Sequence, residues 1–239
     1  MTQLVVFDCD GTLVDSQSVI LAAMRAAFAA QSLSPPADEA IRRIVGLSLP
    51  QAVHALLGDD RLPLDQGIVP ALADSYKNAF IDLRHSHGHR HEPLYPGIED
   101  TLIALGEAGI LMGIATGKSM RGLVSILEHH GLSDHFISLQ TADLHPSKPH
   151  PAMLEAAIRE AGAKAEQTIL IGDTSYDMLM AKNAGAIGLG VSWGYHAPED
   201  LEAAGAHVIA DEPGNCRLLS RAFMPAFPPL SRNGQCHEP

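Results

Sequence analysis

The sequence predicts an α/β fold, a doubly wound parallel sheet carrying an all-helical insertion, on three observations. Short, continuous apolar runs occur at Leu4 to Phe7, Ile110 to Ala115, Thr168 to Gly172 and Ile187 to Val191. Such runs fit strands buried on both faces. From Ile98 onward, segments of helical period alternate with them, as parallel strands joined by right-handed crossovers require. No strand-like run lies between Asp15 and His91, so a block of helices follows the first strand directly.

The elements read in order. Ser18 to Gln31 is alanine-rich with apolar residues at helical spacing, and Pro35-Pro36 ends it. Helical segments follow at Asp38 to Ile44, at Pro50 to Leu57 with its start near Ser48, and at Asp65 to Arg84. Ile98 to Ala108 is a helix stopped by Gly109, and Ile110 to Ala115 a buried strand. Thr116-Gly117-Lys118-Ser119 leads into a helix reaching about His130. Phe136 to Thr141 is a shorter strand and Pro151 to Ala161 a helix. Thr168 to Gly172 leads through Asp173 into the helix Tyr176 to Ala184, and strands at Ile187 to Val191 and His207 to Ile209 complete the sheet. The boundaries expected are residues 1–15 and 92–212 for the α/β core and 16–91 for the helical insertion. A tail from 213 to 239, rich in Pro, Arg, Asn and Ser, should be loosely packed.

Composition narrows the partners. A formal charge of −12 argues against nucleic acid or an anionic membrane, because the overall field would repel both. An anionic ligand would therefore need a local cationic pocket. No basic segment precedes an apolar core at the N-terminus, and no apolar run approaches the roughly 20 residues needed to span a bilayer. Cys9, Cys216 and Cys236 have neither the density of a disulfide scaffold nor paired metal-ligand spacing, so a cytoplasmic location is expected.

The chemistry concentrates where apolar runs stop. The first strand ends in Asp8-Cys9-Asp10-Gly11-Thr12. In open α/β sheets, ligands bind beyond the carboxyl ends of the strands. Alternation along an extended chain sets Asp8 and Asp10 on one side and Cys9 on the other. Two close carboxylates repel unless a cation or a proton compensates. Thr116, Lys148, and Asp173 with Asp177 fall at other strand ends or in adjoining loops, so the topology can gather them. That inventory suits phosphoryl transfer: one carboxylate attacks phosphorus and a second moves protons. Hard oxygen ligands select Mg2+, while a hydroxyl, backbone amides and a lysine neutralise phosphoryl oxygens.

These residues resemble the four motifs of the haloacid dehalogenase superfamily, in its phosphatase branch with a helical cap after the first strand. Asp8-Cys9-Asp10-Gly11-Thr12 matches the first motif, Thr116 the second, Lys148 in Lys-Pro-His-Pro the third, and Gly172-Asp173-Thr174-Ser175-Tyr176-Asp177 the fourth. The resemblance runs from Leu4 to about Ala210. It implies Asp8 as nucleophile and Asp10 as general acid and base. Mg2+ would be held by the carboxylates of Asp8 and Asp173 and the backbone carbonyl of Asp10. Thr116 and the amide of Gly117 would bind the phosphoryl group, Lys148 would balance its charge, and Asp177 would orient Lys148 or a metal-bound water.

Within the family, dehalogenating members lack an acid/base carboxylate at the position of Asp10, so Asp10 favours phosphate esters. The cap segment Arg42 to Leu49 falls where members place a specificity loop. The spacing from Arg42 to Gly46 resembles that of phosphoglycolate phosphatases, making Arg42, Arg43 and Gly46 the candidate specificity residues. The Gly46-x-Ser48-Leu49 run also resembles related pyrophosphatases. Leu49 replaces the basic residue of sugar-phosphate mutases, and no lysine between Thr2 and Tyr76 could serve phosphonate-cleaving chemistry. Gly117 stands where asparagine is frequent. Lys118 and Arg121 follow it, either raising the local potential or as solvated charges. The histidines from His85 to His91 read as an exposed hinge rather than a metal site. The expected activity is Mg2+-dependent hydrolysis of a small phosphorylated metabolite through an aspartyl phosphate. The alternatives are a pyrophosphatase or nucleotidase, a mutase, or a regulator that binds without turnover.

Overall fold

The computed structural model describes residues 3–58, 62–87 and 92–212. Six parallel strands form one sheet in the order β3-β2-β1-β4-β5-β6. They are β1 (Leu4–Phe7), β2 (Leu111–Thr116), β3 (Ser138–Thr141), β4 (Thr168–Gly172), β5 (Ile187–Val191) and β6 (Val208–Ala210). The chain winds outward from β1 to β3, then returns to the other side of β1 for β4 to β6. The strand order therefore reverses beside β1, the place where such sheets open a crevice for ligands.

Side-chain alternation splits the core into two layers. Val5, Phe7 and Cys9 pack with Leu102, Ile114, Leu123 and Ile126 on one face. Leu4 and Val6 pack with Met153, Leu154, Leu170 and Met180 on the other. The helices between strands are α5 (Ile98–Glu107), α6 (Met120–His130), α7 (Ala152–Ala161), α8 (Ser175–Ala184) and α9 (Pro198–Ala204). Cys9 belongs to the cluster of Val5 and Phe7, as the alternation predicts, and is inert filler there.

Between β1 and α5 the chain forms α1 (Gln17–Ala30), α2 (Asp38–Ile44), α3 (Leu49–Leu57) and α4 (Ile68–His87), with no strand among the described residues. They bury a second apolar cluster, built on Met24, Phe28, Ile41, Val53 and Leu72, separate from the sheet's layers. Among the described residues, no helix is long and apolar enough to cross a membrane.

Three expectations shift. Helix α4 begins at Ile68 rather than Asp65, because Gly67 takes φ +72°, which no helix interior accommodates. It also runs past Arg84, since no helix breaker precedes Gly88, so His85 to His87 belong to the helix. Gly88 to His91, and the tail from Pro213, lie outside the described residues. Strand β3 starts at Ser138, two residues late, because Phe136 turns inward edge-on to Phe7 with ring centroids 6.2 Å apart. Helix α9 is an addition to the expected elements: Pro198 opens it, Glu199 and Asp200 follow, and Gly205 closes it in the left-handed conformation.

One buried ion pair ties α4 to the returning chain. Glu92 is 1% exposed and receives two hydrogen bonds from Arg84, from Nε at 2.6 Å and Nη2 at 2.8 Å. Removing one partner of such a pair strands a charge, at a cost of about 3–5 kcal/mol. Glu92→Ala should lose stability of about that size in urea denaturation; a loss below about 1 kcal/mol would put the pair in the class of surface salt bridges.

Candidate active site

Strand register sets the site. Phe7 lies opposite Ile114 on one side and Ile171 on the other. Asp8 therefore leaves the sheet level with the ends of β2 and β4, next to Thr116 and Asp173. Its backbone N–H donates to the Ile171 carbonyl at 2.9 Å, extending the ladder one residue past the strand. Gly11 makes the turn that follows at φ +90°. A β-carbon there would fall 2.2 Å from Asp173 Oδ2, so only glycine fits.

Asp8, Asp173 and Asp177 are all buried, and one carboxylate oxygen from each lies within 4.8 Å of the others. Lys148, from the loop between β3 and α7, is fully buried among them. Its Nζ stands 2.6 Å from Asp177 Oδ1 and 2.9 Å from Asp8 Oδ1. Three carboxylates facing one ammonium leave an excess of negative charge away from water. Burial pushes the Asp8 carboxyl up to about 6, against the pull of Lys148. Burial, then Asp8 and Asp177, push Asp173 well above the usual carboxylate range. Burial depresses Lys148, but Asp177 and Asp8 outweigh it and its ammonium is held firmly.

The three carboxylates differ in what they have free. Asp177 is used up: Oδ1 accepts from Lys148, and Oδ2 accepts from the Thr174 hydroxyl at 2.6 Å and its N–H at 3.1 Å. That reciprocal cap, with Thr174 receiving the Asp177 N–H, starts α8. Asp173 accepts one bond on each oxygen, from the Thr12 hydroxyl at 2.8 Å and the Tyr195 N–H at 2.9 Å. Asp8 has Lys148 beside Oδ1 at 2.9 Å and no other side chain paired with it among the described residues. A divalent cation fits this set: it would take carboxylate oxygens of Asp8 and Asp173 and offset the excess charge.

Asp10 has a separate environment. Lys118 Nζ sits 2.8 Å and 2.9 Å from its two oxygens, and the Ser16 hydroxyl donates to Oδ1 at 2.6 Å. Burial raises the Asp10 carboxyl, but Lys118 and Ser16 together bring it below its ordinary value. Lys118 is only 8% exposed in its side chain, whereas Arg121 is exposed, so the two cations after Gly117 part company. Lys118 also lies 3.9 Å from Glu92 and 5.3 Å above the Phe80 ring of α4. Sequence reasoning left Lys118 undecided and overlooked Ser16, Glu92 and the loop Ser192 to His196. Position directly after the Thr116-Gly117 motif was the available signal for Lys118.

The helical insertion closes over this edge through one loop. Ser48 N–H donates to Ser147 Oγ at 2.7 Å, and the Tyr176 hydroxyl donates to the Arg43 carbonyl at 3.0 Å. A β-carbon on Gly117 would lie 2.5 Å from the Leu47 carbonyl oxygen and 2.6 Å from that of Gly46. The loop thus occupies the space that a side chain at 117 would take. Gly46 is brought against Thr174 of the core, while the guanidinium groups of Arg42 and Arg43 pair within the insertion. Arg42 pairs with Gln17 and Glu39, and Arg43, 68% exposed, pairs with Glu39. Thr116 is buried, with Oγ1 accepting from the Lys118 N–H at 3.3 Å.

Comparison with known proteins agrees with this geometry. A family model for haloacid dehalogenase-like hydrolases matches residues 5–191, and the chain belongs to that family. It is 38% identical over 217 residues to the "Probable phosphatase IndB" of Dickeya dadantii, covering 88% of this chain and 90% of the relative. It is 32% identical over 212 residues to a phosphoglycolate phosphatase of Vibrio parahaemolyticus, covering 87% and 92%. The crystal structure of a hydrolase from Pseudomonas syringae matches with a TM-score of 0.81 at 27% identity, over 93% of this chain and 99% of that one. The chain is a hydrolase on the phosphatase side of its family.

The seat on Gly117 can be read directly. Gly117→Ala should displace the loop and speed hydrogen exchange at the Ser48 amide by about tenfold, the worth of its hydrogen bond to Ser147. An unchanged exchange rate would mean that the loop does not rest on Gly117.

Proposed function

We propose that this protein is a magnesium-dependent phosphatase that hydrolyses a small, anionic phosphorylated metabolite, of the phosphoglycolate type, through an aspartyl phosphate on Asp8. The observation that carries the reading is Asp8 itself: a buried carboxylate at the sheet's switch point, 2.9 Å from Lys148 and grouped with Asp173 and Asp177.

Asp8 attacks phosphorus and the ester oxygen leaves. Thr116, the Gly117 amide and Lys148 are the groups available for the phosphoryl oxygens, and Asp177 holds Lys148 in place for them. Mg2+, held by Asp8, Asp173 and the Asp10 carbonyl, would lower the repulsion between the nucleophile and the phosphoryl oxygens. Asp10 gives a proton to the leaving oxygen and later takes one from the water that hydrolyses the intermediate. Its pairing with Lys118 suits the second half, because it keeps the carboxylate ionised. A substrate anion that draws Lys118 away suits the first half, because it lets Asp10 take up a proton.

That preference supports an anionic metabolite, as does the name of the Vibrio relatives. Besides Lys148, the cations that act on Asp10 are Lys118 and Arg84, from the core and α4, and they join Arg42 and Arg43 as candidates for recognising the substrate's second anionic group. The loop seated on Gly117 would exclude bulk water during phosphoryl transfer.

Asp8→Asn should abolish Mg2+-dependent phosphate release from p-nitrophenyl phosphate and 2-phosphoglycolate while the protein stays folded by circular dichroism. Turnover at the parent rate would refute the covalent route. A second expectation concerns stability. Asp8 binds its proton more tightly in the folded than in the unfolded chain. Its contribution is therefore full below about pH 4 and is lost as the pH rises through about 6. Mg2+ competes with that proton, so saturating Mg2+ should raise Tm by several degrees at about pH 7.5 and by much less at about pH 5. An equal rise at both values would argue against a carboxylate metal site.

A further inference from the structure

Beyond β5 the chain does not go straight into α9. Residues Ser192 to Ala197 fold back over the carboxyl edge of the sheet, and Tyr195 reaches both Asp173 and Ser16 from that loop. Its backbone N–H donates to Asp173 Oδ2 at 2.9 Å. Its ring fills the space beside Gly11, where a β-carbon would come within 2.5 Å of it. The same ring packs against the apolar cluster of the helical insertion. Its hydroxyl lies 3.3 Å from the Ser16 hydroxyl.

Proton counting gives that last contact a direction. Ser16 has one hydroxyl hydrogen, and it goes to Asp10 Oδ1 at 2.6 Å. An ionised carboxylate cannot donate, so the proton between Ser16 and Tyr195 belongs to Tyr195. The hydrogen bonds run one way, from Tyr195 to Ser16 to Asp10, and donors in such a chain strengthen one another. Ser16 is fully buried and is the last residue before α1, where the chain enters the helical insertion. Trp193 anchors the base of the loop by donating from Nε1 to the Thr12 carbonyl at 3.1 Å.

Building on the phosphatase reading above, we propose that Tyr195 is a positioning residue: through Ser16 it fixes the orientation of the Asp10 carboxyl toward the leaving group. No step of the chemistry touches Tyr195. Its effect is confined to proton delivery by Asp10, so it should matter in proportion to how badly the leaving group needs a proton.

Phenyl phosphate and p-nitrophenyl phosphate separate this role from a structural one, because they are similar in shape while nitrophenolate is much the better leaving group. The value of kcat/KM covers every step through departure of the leaving group. Tyr195→Phe keeps the ring and the backbone N–H and removes only the hydroxyl. It should lower kcat/KM for phenyl phosphate by about fivefold to tenfold, the size of one hydrogen bond. For p-nitrophenyl phosphate the loss should stay under about twofold, with Tm unchanged. The double variant Ser16→Ala/Tyr195→Phe should lose no more than Ser16→Ala alone, since both act on Asp10 in series. Equal losses on both esters, additive losses in the double variant, or an unaffected Tyr195→Phe would each overturn the assignment. A parent protein that turns over neither ester would overturn the phosphatase reading, and this inference with it.

Discussion

Three carboxylates share one lysine at the edge of the sheet where its strand order reverses, and the rest of the molecule is arranged around that imbalance. Asp8, Asp173 and Asp177 are buried with Lys148 in a place where charge is poorly screened. The sheet forces Asp8 and Asp173 together, because β1 and β4 are neighbours in register and each is followed at once by aspartate. Asp177 is neutralised by Lys148 and the cap of α8, so the remaining repulsion falls on Asp8 and Asp173. These are the two whose proton affinity is raised. In the proposed reaction the excess charge has a use, because a site that is too negative by itself would hold a divalent cation and then a phosphoryl group.

Asp10 is two residues from Asp8 yet belongs to another network. Lys118 and Ser16 hold it, and beyond Lys118 come Glu92, Arg84 and Phe80. Asp10 is therefore wired to α4 and to the two crossings between core and insertion, at Ser16 and Glu92, while Asp8 is wired to the sheet. A motion of the helical insertion would act on Asp10 and leave Asp8 in place, a division that suits the roles proposed for them, a nucleophile that stays rigid and an acid that changes partners.

Closeness of backbone explains the glycines of the site better than flexibility does. Gly11 lies against Asp173 and Tyr195, and Gly117 lies beneath the carbonyls of Gly46 and Leu47. At 117 the loop of the insertion fills the volume that a side chain would take. Glycine there and the seating of the loop are two sides of one packing solution.

Local chemistry and short-range pattern made much of this legible in the sequence. Apolar runs ending in Asp8, Thr116 and Asp173 give strands with polar ends, and the helical texture from 16 to 91 gives the insertion. The same reading put Lys148 and Asp177 in the site by their motifs. What escaped depends on distance. Arg42 and Arg43 stand out by their spacing, yet the spacing does not show that both pair with Glu39 on their own helix. Lys118 looked ambiguous because nothing adjacent to it reveals a buried Asp10 and Glu92. Tyr195 carries no local signal, since its partners Ser16 and Asp173 are joined to it only when the loop after β5 folds back over the sheet. Pattern along the chain was enough for most elements, the reactive groups and the side of the sheet on which they stand, because each follows from sequence neighbours. Which cation meets which carboxylate was settled by packing, because it depends on elements that are remote in sequence.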